Sequence, residues 1–479
     1  MLKRVRIILT VLLLLATVGV DAQVTTASMA GKVTDASNEP IIGATVQAVH
    51  QPSGSRYGTV TNVDGRYSIQ GMRTGGPYRV EISYIGYQTV IYKDITLQLG
   101  EVYNLNVEMS ESSELLNEVI VTAAKTKFTA EKTGATTNIS SAQITQLPTV
   151  NRSISDIARL SPYANGMSFA GGDGRSTNFT IDGANFNNNF GLSSNLPGGG
   201  NPISMDAIEE VQVVVAPFDV RQTNFIGGGI NAITKSGTNT FRGTAYTYYR
   251  NQDMRGNRIN GEDLGARSDE SKTTYGFTLG GPIIKNKLFF FVNYEKEKTP
   301  GEVIKYRARE DGEDAKGMVS RTLKSDMEKV YNHLKDKYGY DAGSYTNFPA
   351  DEENTKLLAR IDWNITDRHR LSLRYNNTKN TAWNAPNGNS SDTGYRLNNT
   401  YRVGTQSMAF ANSMYSMDNK VQSWAADLNS RFTDKISNQL LFTYTNIEDM
   451  RGTNSSPFPF IDIMAGKDEN GNQILEPYM

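Results

Sequence analysis

The chain has 479 residues, a formal net charge of −1, 38% hydrophobic and 21% charged residues, and no cysteine. Near-neutral charge argues against a nucleic-acid binder, whose footprint is strongly basic; the lack of cysteine excludes disulfides, thiolate metal sites and thiol nucleophiles. His50, His333 and His369 are the only histidines and stand far apart, so imidazole metal sites and His-based triads are poorly supported; no enzyme, cofactor or metal is expected. Abundant Gly (43) and more Tyr (24) than Phe (18) favour a β-rich exported protein.

Lys3, Arg4 and Arg6 form a basic flank, Ile7 to Gly19 an apolar stretch, and Val20-Asp21-Ala22 a small-residue cleavage site. This predicts a cleaved signal peptide over 1–22, because the apolar run is short for about 30 Å of hydrocarbon. An exported chain without cysteine suits a Gram-negative envelope.

Residues 28–110 alternate short strands with turns. Val80, Ile82 and Tyr84 alternate with Arg79, Glu81 and Ser83, and Asp64-Gly65 and Pro40 mark turns, which predicts a small antiparallel sandwich. Gly31, Val33 and Asp35; Pro40, Gly43, Ala44 and Val46; and Thr61, Asp64, Gly65 and Tyr67 resemble the carboxypeptidase-regulatory-like domain. The resemblance implies a carbohydrate-binding-like scaffold without metal ligands or catalytic groups.

The 111–127 linker places Leu115 to Ala123 between polar flanks, acidic at Glu111 and Glu114 and basic at Lys125 and Lys127. Such a β-branched run is either a strand able to add to another protein's sheet edge or the last strand of the preceding sandwich. Glu118, Val119, Ile120, Val121, Thr122 and Ala123 resemble the TonB box of Bacteroidetes outer-membrane receptors, which implies TonB, with its inner-membrane energising complex, as partner.

Over 128–238, Ser141 and Ser153 start short helices, and Ile154, Ile157 and Leu160 fall on one face of the second. A strand runs into the Asp182-Gly183 turn, and strands follow at Ile208 to Val215 and after Gly227. Gly227 to Gly229 lack the Gly-Lys-Ser/Thr that a phosphate loop requires. Leu147-Pro148, Ile181-Asp182-Gly183, and Gly228-Gly229-Ile230-Asn231-Ala232-Ile233-Thr234-Lys235 resemble the plug domain of TonB-dependent receptors. Ala216-Pro217-Phe218 departs from the family's Gly-Pro pattern, and with the long Asn187 to Asn201 loop points to the Oar-like branch, leaving a SusD-type lipoprotein partner doubtful.

Beyond Asn239 the period is two. Tyr275, Phe277 and Leu279; Leu357, Ala359, Ile361 and Trp363; Leu371, Leu373 and Tyr375; and Trp424, Ala426 and Leu428 each alternate with polar residues. Lipid outside and water inside produce this pattern, and so does a soluble sandwich; short turns alternating with long polar loops select the membrane barrel. About eight strands are expected, near 241–250, 272–281, 287–297, 302–308, 356–364, 368–378, 420–432 and 435–446, with a helix at Leu323, Met327, Val330 and Leu334 packing in an external loop. Plugged transporters have about 22 strands, so the 239–479 region reads as a partial, truncated outer-membrane β-barrel. The expected fold is mainly β: an N-terminal β-sandwich, an α+β plug, then this barrel.

The resemblance implies an outer-membrane receptor that imports an unknown extracellular ligand, a glycan or a peptide, with energy from TonB. The alternative is an exported adhesion or matrix-binding protein without transport.

Overall fold

A computed structural model describes residues 24–111, 119–122, 135–149, 151–188, 195–215, 222, 226–254, 256, 258–263, 270–301, 306–346, 348, 351–386, 402–467, 470–472, 474 and 476–479. The expected signal peptide at 1–22, Glu118, Ala123, the Ala216-Pro217-Phe218 departure and positions 302–305 of the expected 302–308 strand lie outside the described residues.

The N-terminal body is a two-sheet sandwich. Its strands are β1 (Ala27–Asp35), β2 (Thr45–His50), β3 (Ser55–Val60), β4 (Arg66–Met72), β5 (Gly75–Ser83), β6 (Val90–Leu97), β7 (Val102–Asn104) and β8 (Val107–Met109). One sheet runs β4-β1-β7 with β8 also on β1, and the other runs β3-β2-β5-β6. Alternate residues point inward, so Met29, Val33, Val46, Ala48, Tyr78 and Ile82 make a common core. The Asn62 side chain closes the β3–β4 turn, accepting from the N–H groups of Asp64 and Arg66. The sandwich is not wholly antiparallel, since β7 and β8 lie parallel to β1.

β9 (Val119–Thr122) extends the second sheet. It pairs in parallel with β6, Val90 opposite Val119 and Lys93 opposite Thr122.

The next body holds β10 (Ala135–Ser140), α1 (Ser141–Gln146), α2 (Ile154–Ala158), β11 (Asn178–Ile181), β12 (Ala184–Asn185), β13 (Ile208–Val215) and β14 (Gly228–Thr234), with sheet order β10-β13-β14-β11-β12. Ser140, one residue before the expected start, caps α1 by donating its N–H to Gln143 Oε1 at 3.0 Å. Ser153 caps α2 as expected. Ile154 and Ile157 are buried, but Leu160 falls beyond the helix and is 41% exposed.

A single antiparallel sheet of seven strands follows: β15 (Arg242–Asn251), β16 (Ser271–Ile284), β17 (Leu288–Thr299), β18 (Glu352–Asn364), β19 (His369–Asn384), β20 (Tyr415–Arg431) and β21 (Ser437–Gly452). The expected apolar rows stand side by side across it: Trp363 faces Leu371 and then Leu428, Ile361 faces Leu373 and then Ala426, and Ala359 faces Tyr375 and then Trp424. This face is exposed, as a lipid-facing surface must be, with Trp424 at 52% and Leu373 at 42%. The opposite face carries Arg360, Asp362 and Arg374 and also Phe291, Leu358 and Val421, which join the core of the second body. The β10–β14 body therefore sits on the inner face of the wall.

One expected strand is displaced. Arg307–Arg309 is not in the wall but pairs in parallel with Val319–Leu323, because Ala308 is drawn into a separate core with Met327, Met408 and Phe410 formed by the long loops. That core includes the expected helix, α3 (Lys324–Tyr338), whose Met327 is fully buried. Gly339, at φ 65°, ends α3 and lets Tyr340 N–H reach Leu334 O at 3.2 Å.

The short turns after β16, β18 and β20 share one rim, and the sandwich sits against it. Asn364 Nδ2 donates to Ser55 Oγ at 3.0 Å, Asn239 N–H to Pro52 O at 2.8 Å, and Ser437 Oγ to Gln70 Oε1 at 3.2 Å. In outer-membrane barrels the short-turn rim is periplasmic.

Candidate functional site

The junction of sandwich, inner body and wall centres on Asp182. It holds φ 45°, a left-handed conformation that Asp tolerates, and Gly183 follows at φ 77°. This turn aims the carboxylate back at β14: Thr234 donates its N–H to Oδ1 at 2.9 Å and its hydroxyl to Oδ2 at 2.6 Å. Asp182 Oδ1 lies 3.5 Å from Arg360 Nη1 on β18, and Oδ2 lies 3.5 Å from Arg374 Nε on β19. Arg360 also donates to the Thr234 carbonyl at 2.8 Å and pairs with fully buried Asp362 at 2.9 Å.

The sandwich reaches the same place. Arg73 Nη2 lies 3.5 Å from Asp362 Oδ1, and its Nη1 donates to Ser236 Oγ at 3.0 Å. Arg370 stacks on Tyr57 at 3.8 Å, and Thr25 donates to Asp427 at 2.7 Å. These groups, Asp362 excepted, line a cavity of about 430 Å³. His50 also lines it; burial pushes its imidazole down to about 3, so it stays neutral, in contact with Ser53 Oγ at 2.7 Å.

A second clamp joins sandwich to inner body. Leu99 N–H donates to Glu210 Oε1 at 3.0 Å, and Leu99 O accepts from Asn138 Nδ2 at 3.2 Å and Gln212 Nε2 at 2.6 Å. Val24, Leu99 and Ile233 form a small apolar cluster beside it. Burial raises the Glu210 carboxyl to about 7, and the neighbouring Glu209 and Glu101 push the same way, against the hydrogen bonds from Leu99 and Asn138.

The motif residues divide into two uses. Asp182 and Thr234 meet the wall at Arg360, and Gly183 completes the turn that aims Asp182. Asn231 turns inward: its Oδ1 accepts from Thr180 Oγ1 at 2.8 Å, and its Nδ2 donates to Gln222 Oε1 at 3.1 Å and Gln212 Oε1 at 3.3 Å. Gly228, Gly229 and Ile230 form β14, which needs small residues because a Cβ on Gly228 would come within 2.6 Å of the Phe169 ring. Burial raises the Glu209 carboxyl, and Lys235, which lines the cavity, opposes that rise with its charge. Val119, Ile120, Val121 and Thr122 are apart from this junction, on the sandwich edge. Sequence reasoning did not single out Arg73, Leu99, Arg360, Asp362 or Arg374; the polar inner row of the wall strands was a signal for Arg360, Asp362 and Arg374, and nothing in the sequence marked Arg73 or Leu99. Among the described residues no group of three or more His, Cys, Asp or Glu could hold a metal.

Comparison with known proteins agrees with this architecture. Residues 28–110 match the carboxypeptidase regulatory-like domain, and 233–303 match an outer membrane beta barrel domain. The chain is 25% identical over 376 residues to the TonB-dependent transporter Oar of Myxococcus xanthus, covering 73% of this chain and 33% of that protein. It thus spans about a third of the length of that relative. Among solved structures, the outer membrane transporter YddB from Escherichia coli aligns with a TM-score of 0.47 at 15% identity, covering 67% of this chain and 40% of that one. The siderophore receptor PirA from Pseudomonas aeruginosa aligns at 0.41 and 16%, covering 67% and 42%. The chain is a Gram-negative outer-membrane protein, mainly β, with an N-terminal carboxypeptidase regulatory-like sandwich and a partial outer-membrane barrel, similar to a TonB-dependent transporter.

Proposed function

We propose that this outer-membrane protein is a TonB-dependent receptor that binds an extracellular ligand through its long loops and imports it with energy delivered through residues 118–123. In this reading 128–238 is the plug, the 239–479 wall is its barrel, and the sandwich at 28–110 lies on the periplasmic side. The observation that carries it is Asp182: beside the apolar contacts of Phe291, Leu358 and Val421, a body with its own core is held to the inner face of a lipid-exposed wall by ion pairs that a pull can break and reform. No covalent chemistry is required. The ligand is a glycan or a peptide, and no SusD-type lipoprotein enters the reading.

The test is made in the native host. Cells carrying Val119→Pro with Val121→Pro should lose uptake of the same nutrients as cells lacking the gene or TonB, at unchanged surface abundance, since proline cannot donate to a strand ladder. Full uptake in the double variant would refute the reading.

A further inference from the structure

β9 is the terminal strand of the sheet β3-β2-β5-β6-β9. In a parallel ladder, alternate residues direct both backbone groups to one neighbour, and the residues between direct theirs to the other side. The pairing of 119–122 with 90–93 therefore occupies half of the β9 backbone groups and leaves the other half on the outer edge. Among the described residues no strand pairs with that edge.

We infer that the outer edge of β9, while β9 stays on β6, is the strand-addition surface for the C-terminal domain of TonB, so that the sandwich is part of the partner's docking platform. This rests on the assignment of 118–123 as the TonB box. A free peptide of this sequence would lose backbone freedom on binding; on β6 that ordering has already taken place. Among the described residues no strand has to be displaced for the incoming strand to pair. In sequence the strand is preceded by Glu111, Glu114 and Glu118 and followed by Lys125 and Lys127. An added strand that is basic at the first end and acidic at the second is favoured. A pull on β9 then loads the Arg73 and Leu99 contacts of the sandwich together with the plug.

Lys93 and Thr122 stand opposite each other across the pair, and the chain has no cysteine of its own. The intact receptor carrying Lys93→Cys with Thr122→Cys is purified in detergent, and binding of the isolated TonB C-terminal domain is titrated in oxidised and reduced forms. The disulfide should form, and the oxidised protein should bind at least as tightly as the reduced one. Weaker binding on oxidation, or failure of the disulfide to form, overturns the platform, because the strand would then have to leave β6 or was never held there. Val121→Pro separates the two readings. If it binds the TonB domain as well as the wild type does, the box assignment itself falls. If it loses binding and the oxidised pair also loses binding, the box stands and the platform falls.

Discussion

Asp182 and Arg360 meet across the boundary between plug and wall, Oδ1 to Nη1 at 3.5 Å, although 178 residues separate them in sequence. Both side chains are 13% exposed. Removing one partner of such a pair leaves the other charge poorly compensated, at a cost of about 3 kcal/mol. Asp182→Asn keeps a side chain suited to the positive φ, so the expected loss is electrostatic. The plug transition in a thermal melt should fall and outer-membrane leak of large antibiotics should rise. Adding Arg360→Gln to Asp182→Asn should cost less than Arg360→Gln does alone; strict additivity would show that the pair is not coupled.

Arg73 is the sandwich's charged link to the wall. Arg73→Ala should accelerate proteolytic cleavage between the sandwich and the plug in the intact protein. The isolated sandwich should melt at an unchanged temperature, because Arg73 donates its side chain outside the sandwich. Equal loss in both would place its role within the sandwich.

Glu210 makes docking of sandwich on plug depend on pH. Its carboxyl is raised from an ordinary 4.5 to about 7 by burial, so its contribution is fully present below 4.5 and is lost as pH rises through 7. The whole effect is at most about 3 kcal/mol. Docking, followed by protease protection of the linker, should strengthen between pH 8 and pH 6. Glu210→Gln should flatten that dependence; an unchanged profile would mean another group titrates.

The sandwich should fold alone as a metal-free domain, with a cooperative melt indifferent to chelator. Gly31→Ala should lower that melt by several degrees, because a Cβ there would stand 1.9 Å from the Leu105 carbonyl oxygen. A chelator-sensitive melt would reveal a metal site.

The apolar rows of the wall were legible because period two and lipid exposure act on each strand separately, and Trp363, Leu371 and Leu428 fall in line once neighbouring strands pair. The Asp182-Gly183 turn was legible as a motif. Its partners were not: Arg360 and Arg374 look like any lumen-facing polar residues until the register brings them to the plug. The partner of 119–122 was hidden for a related reason. A parallel pairing with β6 leaves no hairpin signal, so the strand read equally well as detachable or as the last strand of the sandwich. At the described end of the expected 302–308 strand, alternation alone does not distinguish a wall strand from Arg307–Arg309, whose Ala308 is buried in the loop core.

The central claim, that energy enters through 118–123, is tested most directly by photo-crosslinking in living cells from a benzoylphenylalanine placed at Ile120. A covalent adduct with TonB is expected, and it should disappear when Val121→Pro is added at equal surface abundance. A surface-exposed protein that gives no TonB adduct from any of positions 119–122 would contradict it.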